Sequence, residues 1–285
     1  MDLLVYSLAS LAAVYAALVL FLYLVQTRLI FPTYFAASEK MDLPASAERM
    51  SIAASDGTRL AGVLFSPIGE PNRDDLLLLG FGGNVWNVEN MALRLNRQFP
   101  SMHVAGFHYR GYSPSKGRPT ATWLLADALE IFDHLQTQLP GTRVVPVGFS
   151  LGSSVAAYVA RHREVGGVVL VTPFDSLVEV ARDQFPWLPV RMLIRHRLPT
   201  VDFMKGVSAP TAIITAGRDS VVPERRTGPL RQSVPNLVVD RVIQDAEHND
   251  LYERQDFWAA LADAVTGVYQ HSSKPLTPDI QRLLP

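Results

Sequence analysis

Two kinds of hydrophobic pattern run along this chain. The first is continuous: residues 3–26 carry no charge, and a run of that length can cross a hydrocarbon core of about 30 Å as a helix. A helix that is apolar on every side needs lipid or core all around it, so 3–26 is expected to be a transmembrane anchor rather than a buried core helix. A cleaved signal would want a basic start and a shorter apolar region, whereas Asp2 precedes this one. The second pattern is broken. Short apolar runs at 76–79, 104–107, 144–147, 168–171, 212–214 and 237–242 alternate with longer helical stretches at 88–98, 121–138, 151–162 and 251–269. Short continuous apolar runs read as strands buried on both faces. Their alternation with helices implies right-handed crossovers and a mostly parallel sheet with helices on both faces. Ahead of them, 50–53 and 60–65 alternate around Asp56-Gly57, a hairpin signal that predicts an antiparallel start.

The stretch 174–204 interrupts the alternation with helix-like pieces near Leu177 and at 190–193, and is expected to be a small cap over the strand ends. The organisation is then an anchor at 3–26, a linker at 33–47, one α/β domain at 48–271 and a polar tail at 272–285 with no assignable role. The anchor is expected to be separable from the domain, since the predicted core begins only near Met50. Arg28, Lys40 and Arg49 follow the span, so the positive-inside rule favours a cytoplasmic domain.

Composition narrows the function. With 285 residues, 48% of them hydrophobic, the chain can bury a substantial core. A formal net charge of -1 leaves no strongly basic face for a nucleic-acid partner. There are no cysteines, which excludes disulfides, thiolate metal sites and a cysteine nucleophile.

The chemistry concentrates at Gly148-Phe149-Ser150-Leu151-Gly152, between the apolar run 144–147 and the helical run 151–162. A serine set between glycines at a sharp strand-to-helix turn is held out toward substrate, the arrangement of a nucleophile elbow. A serine hydroxyl is a poor nucleophile until a base takes its proton, and that base needs a carboxylate to hold its tautomer. Chain order supplies both: Asp219 follows the run 212–214 and His248 follows 237–242, giving Ser150, Asp219, His248 as the candidate triad. Asp175 and Asp245 are rival acids, and Asp219 in Gly-Arg-Asp-Ser also suits an Asx turn. A tetrahedral intermediate needs two amide donors, here Leu151 at the helix start and Phe81 in the glycine-rich turn Gly80-Phe81-Gly82-Gly83-Asn84. That turn is no dinucleotide fingerprint, because Val85 stands where the third glycine would fall. His103 and His108 are expected to be structural. Phe81, Trp86, Phe149, Phe174, Phe185 and Trp187 are candidates for an apolar acyl pocket or for core, and Arg191, Arg195 and Arg197 for lipid head groups or a solvated face.

These motifs, with Ile30-Phe31-Pro32, Tyr109-Arg110-Gly111-Tyr112 and His248-Asn249-Asp250, resemble those of membrane-anchored α/β-hydrolase-domain serine hydrolases over nearly the whole chain. Two positions depart from that pattern: Leu79 replaces a histidine before the oxyanion glycine, and His108 replaces an aspartate before Tyr-Arg-Gly. The resemblance implies an α/β-hydrolase fold and acyl hydrolysis without choosing a substrate; no metal constellation stands in the sequence, and the chain is read as a serine hydrolase of acyl esters or thioesters that needs no cofactor. A peptidase or amidase using the same triad, and a non-catalytic scaffold that binds a lipid or protein, are the alternatives.

Overall fold

The hairpin signal becomes β1 (Ala47–Ala53) and β2 (Arg59–Phe65), an antiparallel pair with Ala53 opposite Arg59. Gly57 turns the chain with φ +79°, and Asp56 Oδ1 accepts the Thr58 amide at 2.9 Å. The later strands are β3 (Leu76–Phe81), β4 (His103–Phe107), β5 (Arg143–Phe149), β6 (Val168–Val171), β7 (Thr211–Ala216) and β8 (Leu237–Ile243). All eight form one sheet in the order β1-β2-β4-β3-β5-β6-β7-β8, antiparallel up to β4 and parallel from there. This computed structural model describes residues 2–35, 42–68 and 76–272; all but the first residue of the tail expected at 272–285 and part of the linker lie outside the described residues.

The apolar strands are continuous because each face of the sheet meets its own helices. In β3, Leu77, Leu79 and Phe81 join the core under α3 (Ala121–Gln138) and α4 (Leu151–His162), while Leu76 and Leu78 join the core under α2 (Val88–Gln98) and α9 (Gln255–Gln270). Three helices start on side-chain caps: Asn87 accepts the Asn90 amide, Thr120 that of Trp123, and Ser176 that of Glu179. The segment between β6 and β7 holds α5 (Leu177–Gln184), α6 (Val190–Leu193) and α7 (Thr200–Met204).

Four differences from the sequence expectations have physical causes. The strand at 237–242 is not buried: β8 is the sheet edge, with Asp240 and Arg241 exposed. The helix expected over 251–269 is interrupted, since Leu251–Glu253 forms a single 3-10 turn and Arg254 is extended before α9 begins. An unexpected helix, α8 (Glu224–Ser233), contains Gly228 and Pro229, residues that argue against a helix by propensity. Tertiary packing holds it, with Leu230 fully buried and Thr227 Oγ1 donating to Pro173 O at 2.7 Å.

The largest difference concerns the amino-terminal helix. Among the described residues one helix is long and apolar enough to cross a membrane, α1 (Asp2–Ile30), and it runs beyond Gln26 into the domain. Gln26 Nε2 donates to Leu193 O at 3.1 Å while Gln26 Oε1 accepts the Arg195 amide at 2.8 Å. Thr27 Oγ1 lies 2.7 Å from His196 Nε2, and Phe31 is buried in the core with its ring edge-on to His196. The end of α1 is therefore in contact with the domain, and the one amide side chain of its apolar run finds both partners there.

The loop after β4 is fixed by one buried ion pair. Arg110 donates twice to Asp127, at 3.0 and 2.6 Å, and also binds Asp56 and Thr58. Burial pushes the Asp127 carboxyl up against the pull of the guanidinium. His108, in place of the family's aspartate, is buried, and desolvation pushes its imidazole down to about 4, so the strand end carries no charge there at neutral pH. Removing one member of a buried pair strands the other's charge at a cost of about 3–5 kcal/mol. Arg110→Ala is therefore expected to lower Tm of the detergent-solubilised chain by on the order of 10 °C, whereas Arg163→Ala, whose Asp133 partner is exposed, changes it little; thermal unfolding followed by circular dichroism checks the contrast.

Candidate active site

Ser150 occupies the turn between β5 and α4 with φ 51°, a left-handed conformation that costs a residue with a side chain on the order of 1–3 kcal/mol. The surroundings hold it there. Its amide donates to Val171 O at 2.9 Å, and its carbonyl accepts from Ser153 N at 2.9 Å and Ser153 Oγ at 2.6 Å. The flanking glycines permit the crowding: a Cβ on Gly148 would lie 2.3 Å from Gly152 O, and one on Gly152 only 2.0 Å from Phe81 O. The first turn of α4 thus packs directly on the backbone of the β3–α2 turn, with Leu151 and Phe81 on neighbouring stretches of chain.

His248 and Asp219 reach Ser150 from the ends of β8 and β7. His248 Nε2 lies 3.1 Å from Ser150 Oγ, and His248 Nδ1 lies 2.7 Å from Asp219 Oδ2. An ionised carboxylate only accepts, so the neutral ring carries its proton on Nδ1 and leaves Nε2 free to accept from the serine hydroxyl. The other Asp219 oxygen accepts the Val221 and Val222 amides at 2.9 and 2.6 Å. The Asx turn and the histidine partner are thus the same residue: one oxygen makes the turn and the other is aimed at the imidazole. His248 and Asp219 are both buried.

The rival acids sit elsewhere. Asp245 is exposed and paired with Arg218 at 2.8 Å. Asp175 accepts from Arg226 at 3.0 Å and from the Ser176 amide at 2.6 Å, and burial pushes its carboxyl up. His103 and His108 do not line the cavity at Ser150.

That cavity has a volume of about 570 Å³. Ser150, Leu151 and His248 form its floor, and α5, α6 and the turn from Gly83 to Trp86 supply walls. Trp86, Phe174 and Phe185 of the expected aromatic set line it. Phe149 lies beneath, its ring centroid 5.0 Å from Trp86 and 5.9 Å from Tyr252, while the Phe81 side chain belongs to the core and Trp187 stands exposed against Tyr15. No Asp, Glu, Lys or Arg is among the described lining residues.

Sequence reasoning missed three contributors. Leu22, Tyr23, Leu29 and Ile30 of α1 form part of the cavity wall, which an apolar run read as lipid-facing gave no reason to expect. Tyr109 donates to Gly82 O at 2.8 Å and Tyr112 to Asn84 Oδ1 at 2.8 Å, so the Tyr-Arg-Gly-Tyr motif clamps the turn above Ser150. Tyr252 packs its ring on Trp86 and reaches Thr172 Oγ1 at 3.2 Å, and burial raises its phenol above the usual range.

Comparison with known proteins agrees with this architecture. The family model described as the alpha/beta hydrolase fold matches residues 76–199. An uncharacterized protein of Mycobacterium tuberculosis, Rv2307c, is 30% identical over 85% of this chain and 87% of its own length. The uncharacterized membrane protein YNL320W of Saccharomyces cerevisiae is 27% identical over 90% of this chain and 94% of its own. Among solved structures, the Pyrococcus furiosus esterase Pf2001 superposes with a TM-score of 0.61 at 16% identity, covering 77% of this chain and 89% of that one, which shows the shared fold. The chain belongs to the α/β-hydrolase family.

The geometry ranks the three carboxylates. Asp219→Asn removes the counter-charge of an imidazolium and favours the wrong tautomer, and is expected to lower kcat by about 10⁴. Asp245→Asn should leave kcat within a few-fold, and Asp175→Asn should act through stability rather than through the chemical step. Steady-state kinetics on an activated acyl ester, with thermal unfolding run in parallel, separates them.

Proposed function

We propose that this protein is a serine hydrolase of carboxylic acyl esters or thioesters, held at a membrane as a single-pass protein by α1. The relay Asp219–His248–Ser150 at the floor of an uncharged apolar cavity carries this reading. In it, Ser150 Oγ attacks the acyl carbon while His248 Nε2 takes the hydroxyl proton. The resulting imidazolium keeps its Nδ1 proton hydrogen-bonded to Asp219, and the proton taken onto Nε2 then goes to the leaving alcohol or thiol as the acyl-enzyme forms. Water, deprotonated by the same histidine, releases the acid. The developing oxyanion is assigned to the amides of Leu151 and Phe81, supported by the close approach that Gly152 allows between the two backbones. The step uses the chain's own groups and no cofactor.

The cavity favours an acyl chain over a peptide. Its lining offers apolar surface from Leu177, Val180, Leu188 and Leu193 and no charged side chain to recognise a polar substrate residue. A cavity of about 570 Å³ falls in the range that encloses a single small ligand. Arg28 and Arg49, following the span, favour a domain on the cytoplasmic face.

Labelling by a fluorophosphonate probe tests the nucleophile directly. The wild-type chain is expected to take up the probe and to hydrolyse a model ester, and Ser150→Ala to do neither while keeping its far-UV spectrum and Tm. Undiminished labelling of the folded variant would reject the mechanism, and failure of the wild type to react would favour a binding scaffold. The role of α1 as a wall is tested by Leu22→Trp, which places bulk in the cavity without touching the relay. Because each methylene excluded from an apolar pocket is worth about 1–3 kcal/mol, kcat/KM should fall at least about tenfold for long acyl chains and change little for acetyl or butyryl esters.

A further inference from the structure

The cavity wall shared by α1 and the α5–α6 segment raises the question of where the bilayer surface runs. Tyr15, in the middle of α1, donates its hydroxyl to Trp187 O at 3.0 Å, and the two rings meet edge-on at 6.5 Å. Further along, Arg195 places its guanidinium 4.9 Å over the Tyr23 ring and donates to Tyr23 O at 3.2 Å. The domain therefore accompanies α1 from Tyr15 onward. From Leu3, where the uncharged run begins after Asp2, to Tyr15 the helix is roughly 18 Å long at 1.5 Å per residue. A hydrocarbon core is about 30 Å thick, and tilting only lengthens the path. Drawing Asp2 into the core to shorten it would bury a charge. The remaining thickness, on the order of 12 Å, has to be crossed by the turns from Tyr15 to about Tyr23, the turns that carry the domain.

We infer that the segment bearing Phe185, Trp187 and Met192 is seated in the acyl layer beside α1, so that the hydrolase domain is partly sunk into the leaflet instead of hanging below it. The inference rests on α1 crossing the membrane as proposed above. The composition of the segment fits: Phe185, Trp187 and Met192 are 40%, 49% and 86% exposed, more than a water-facing loop of this size has reason to show. So does its backbone. Pro186 and Pro189 have no N–H to leave unpaired, and most of the remaining amides, those of Leu188, Val190, Met192, Leu193 and Ile194, find carbonyls within 185–190. The nearby charges are only partly neutralised, since Arg182 and Arg191 share the single carboxylate of Glu179; Arg191 and Arg197 are exposed and long enough to reach the head groups, and Arg195 lies level with Tyr23 at the depth where the run of apolar helix ends. Seated in this way, the wall formed by Leu22, Phe185 and Leu188 stands at the boundary between acyl chains and head groups, and a substrate chain enters the cavity from the leaflet without crossing water.

The full-length protein in vesicles of unsaturated phosphatidylcholine tests this, using the tryptophan emission that disappears in Trp187→Phe. Trp86, Trp123 and Trp258 supply the background. With lipid brominated near the carbonyl end of its chains, the Trp187 component is expected to fall about twofold, as for a ring buried 5–10 Å below the surface, and aqueous iodide to leave it nearly unchanged. Carbonate extraction of the same vesicles separates the two readings. Retention of the protein with Trp187 quenched by iodide and not by bromine overturns the seating while the anchor stands. Release of the protein by carbonate overturns the anchor and the seating with it.

Discussion

The candidate site hangs on one crowded turn. For Ser150 to stand clear of β5 its backbone must adopt a left-handed conformation, and α4 must begin at once, against the carbonyls of Phe81 and Gly82. A side chain at Gly148 or Gly152 would fill the space that this approach requires. The rest of the central sheet serves the turn: β6 ties the Ser150 amide through Val171, while the ends of β7 and β8 deliver Asp219 and His248. The strain is local, and the layers on both faces of the sheet over-determine it.

The same logic extends outward. The turn above Ser150 is glycine-rich and would be loose by composition, yet Tyr109 and Tyr112 hold it by two hydroxyl bonds, and Arg110 between them fixes their own loop through Asp127 and Asp56. A buried pair of this kind contributes little net stability but tolerates few alternative arrangements, which suits a loop proposed to present amides in a set direction. Position before strength is what an oxyanion site requires.

The amino-terminal helix joins two environments that are usually kept apart. Its exposed apolar side chains suit lipid, whereas its last turns exchange hydrogen bonds with the segment at 193–196 and close one side of the cavity. Gln26 shows how this is possible: it is the polar residue in an otherwise apolar stretch, and both ends of its amide are satisfied by domain backbone. On the proposed function, membrane attachment and substrate selection share a structural element, and neither can be altered freely without the other.

Much of this was legible in the sequence because it depends on short-range rules. Alternating apolar runs and helical stretches follow from burial of a parallel sheet on both faces, and the Gly-x-Ser-x-Gly turn, with Asp219 and His248 later in the chain, is local chemistry placed at strand ends. What the sequence left open depends on contacts between distant residues. Helix α8 carries Gly228 and Pro229 against its own propensity and exists because Thr227 and Leu230 are buried by partners far along the chain. The edge position of β8 follows from strand order, which hydrophobicity does not encode. Asp175, Asp219 and Asp245 each follow or flank a strand and differ only in what surrounds them once folded. The apolar run of α1 announces lipid, but hydropathy has no direction. Only the tertiary structure shows that one stretch of that helix faces the cavity at Ser150, because facing is a relation between two surfaces and a sequence describes one of them at a time.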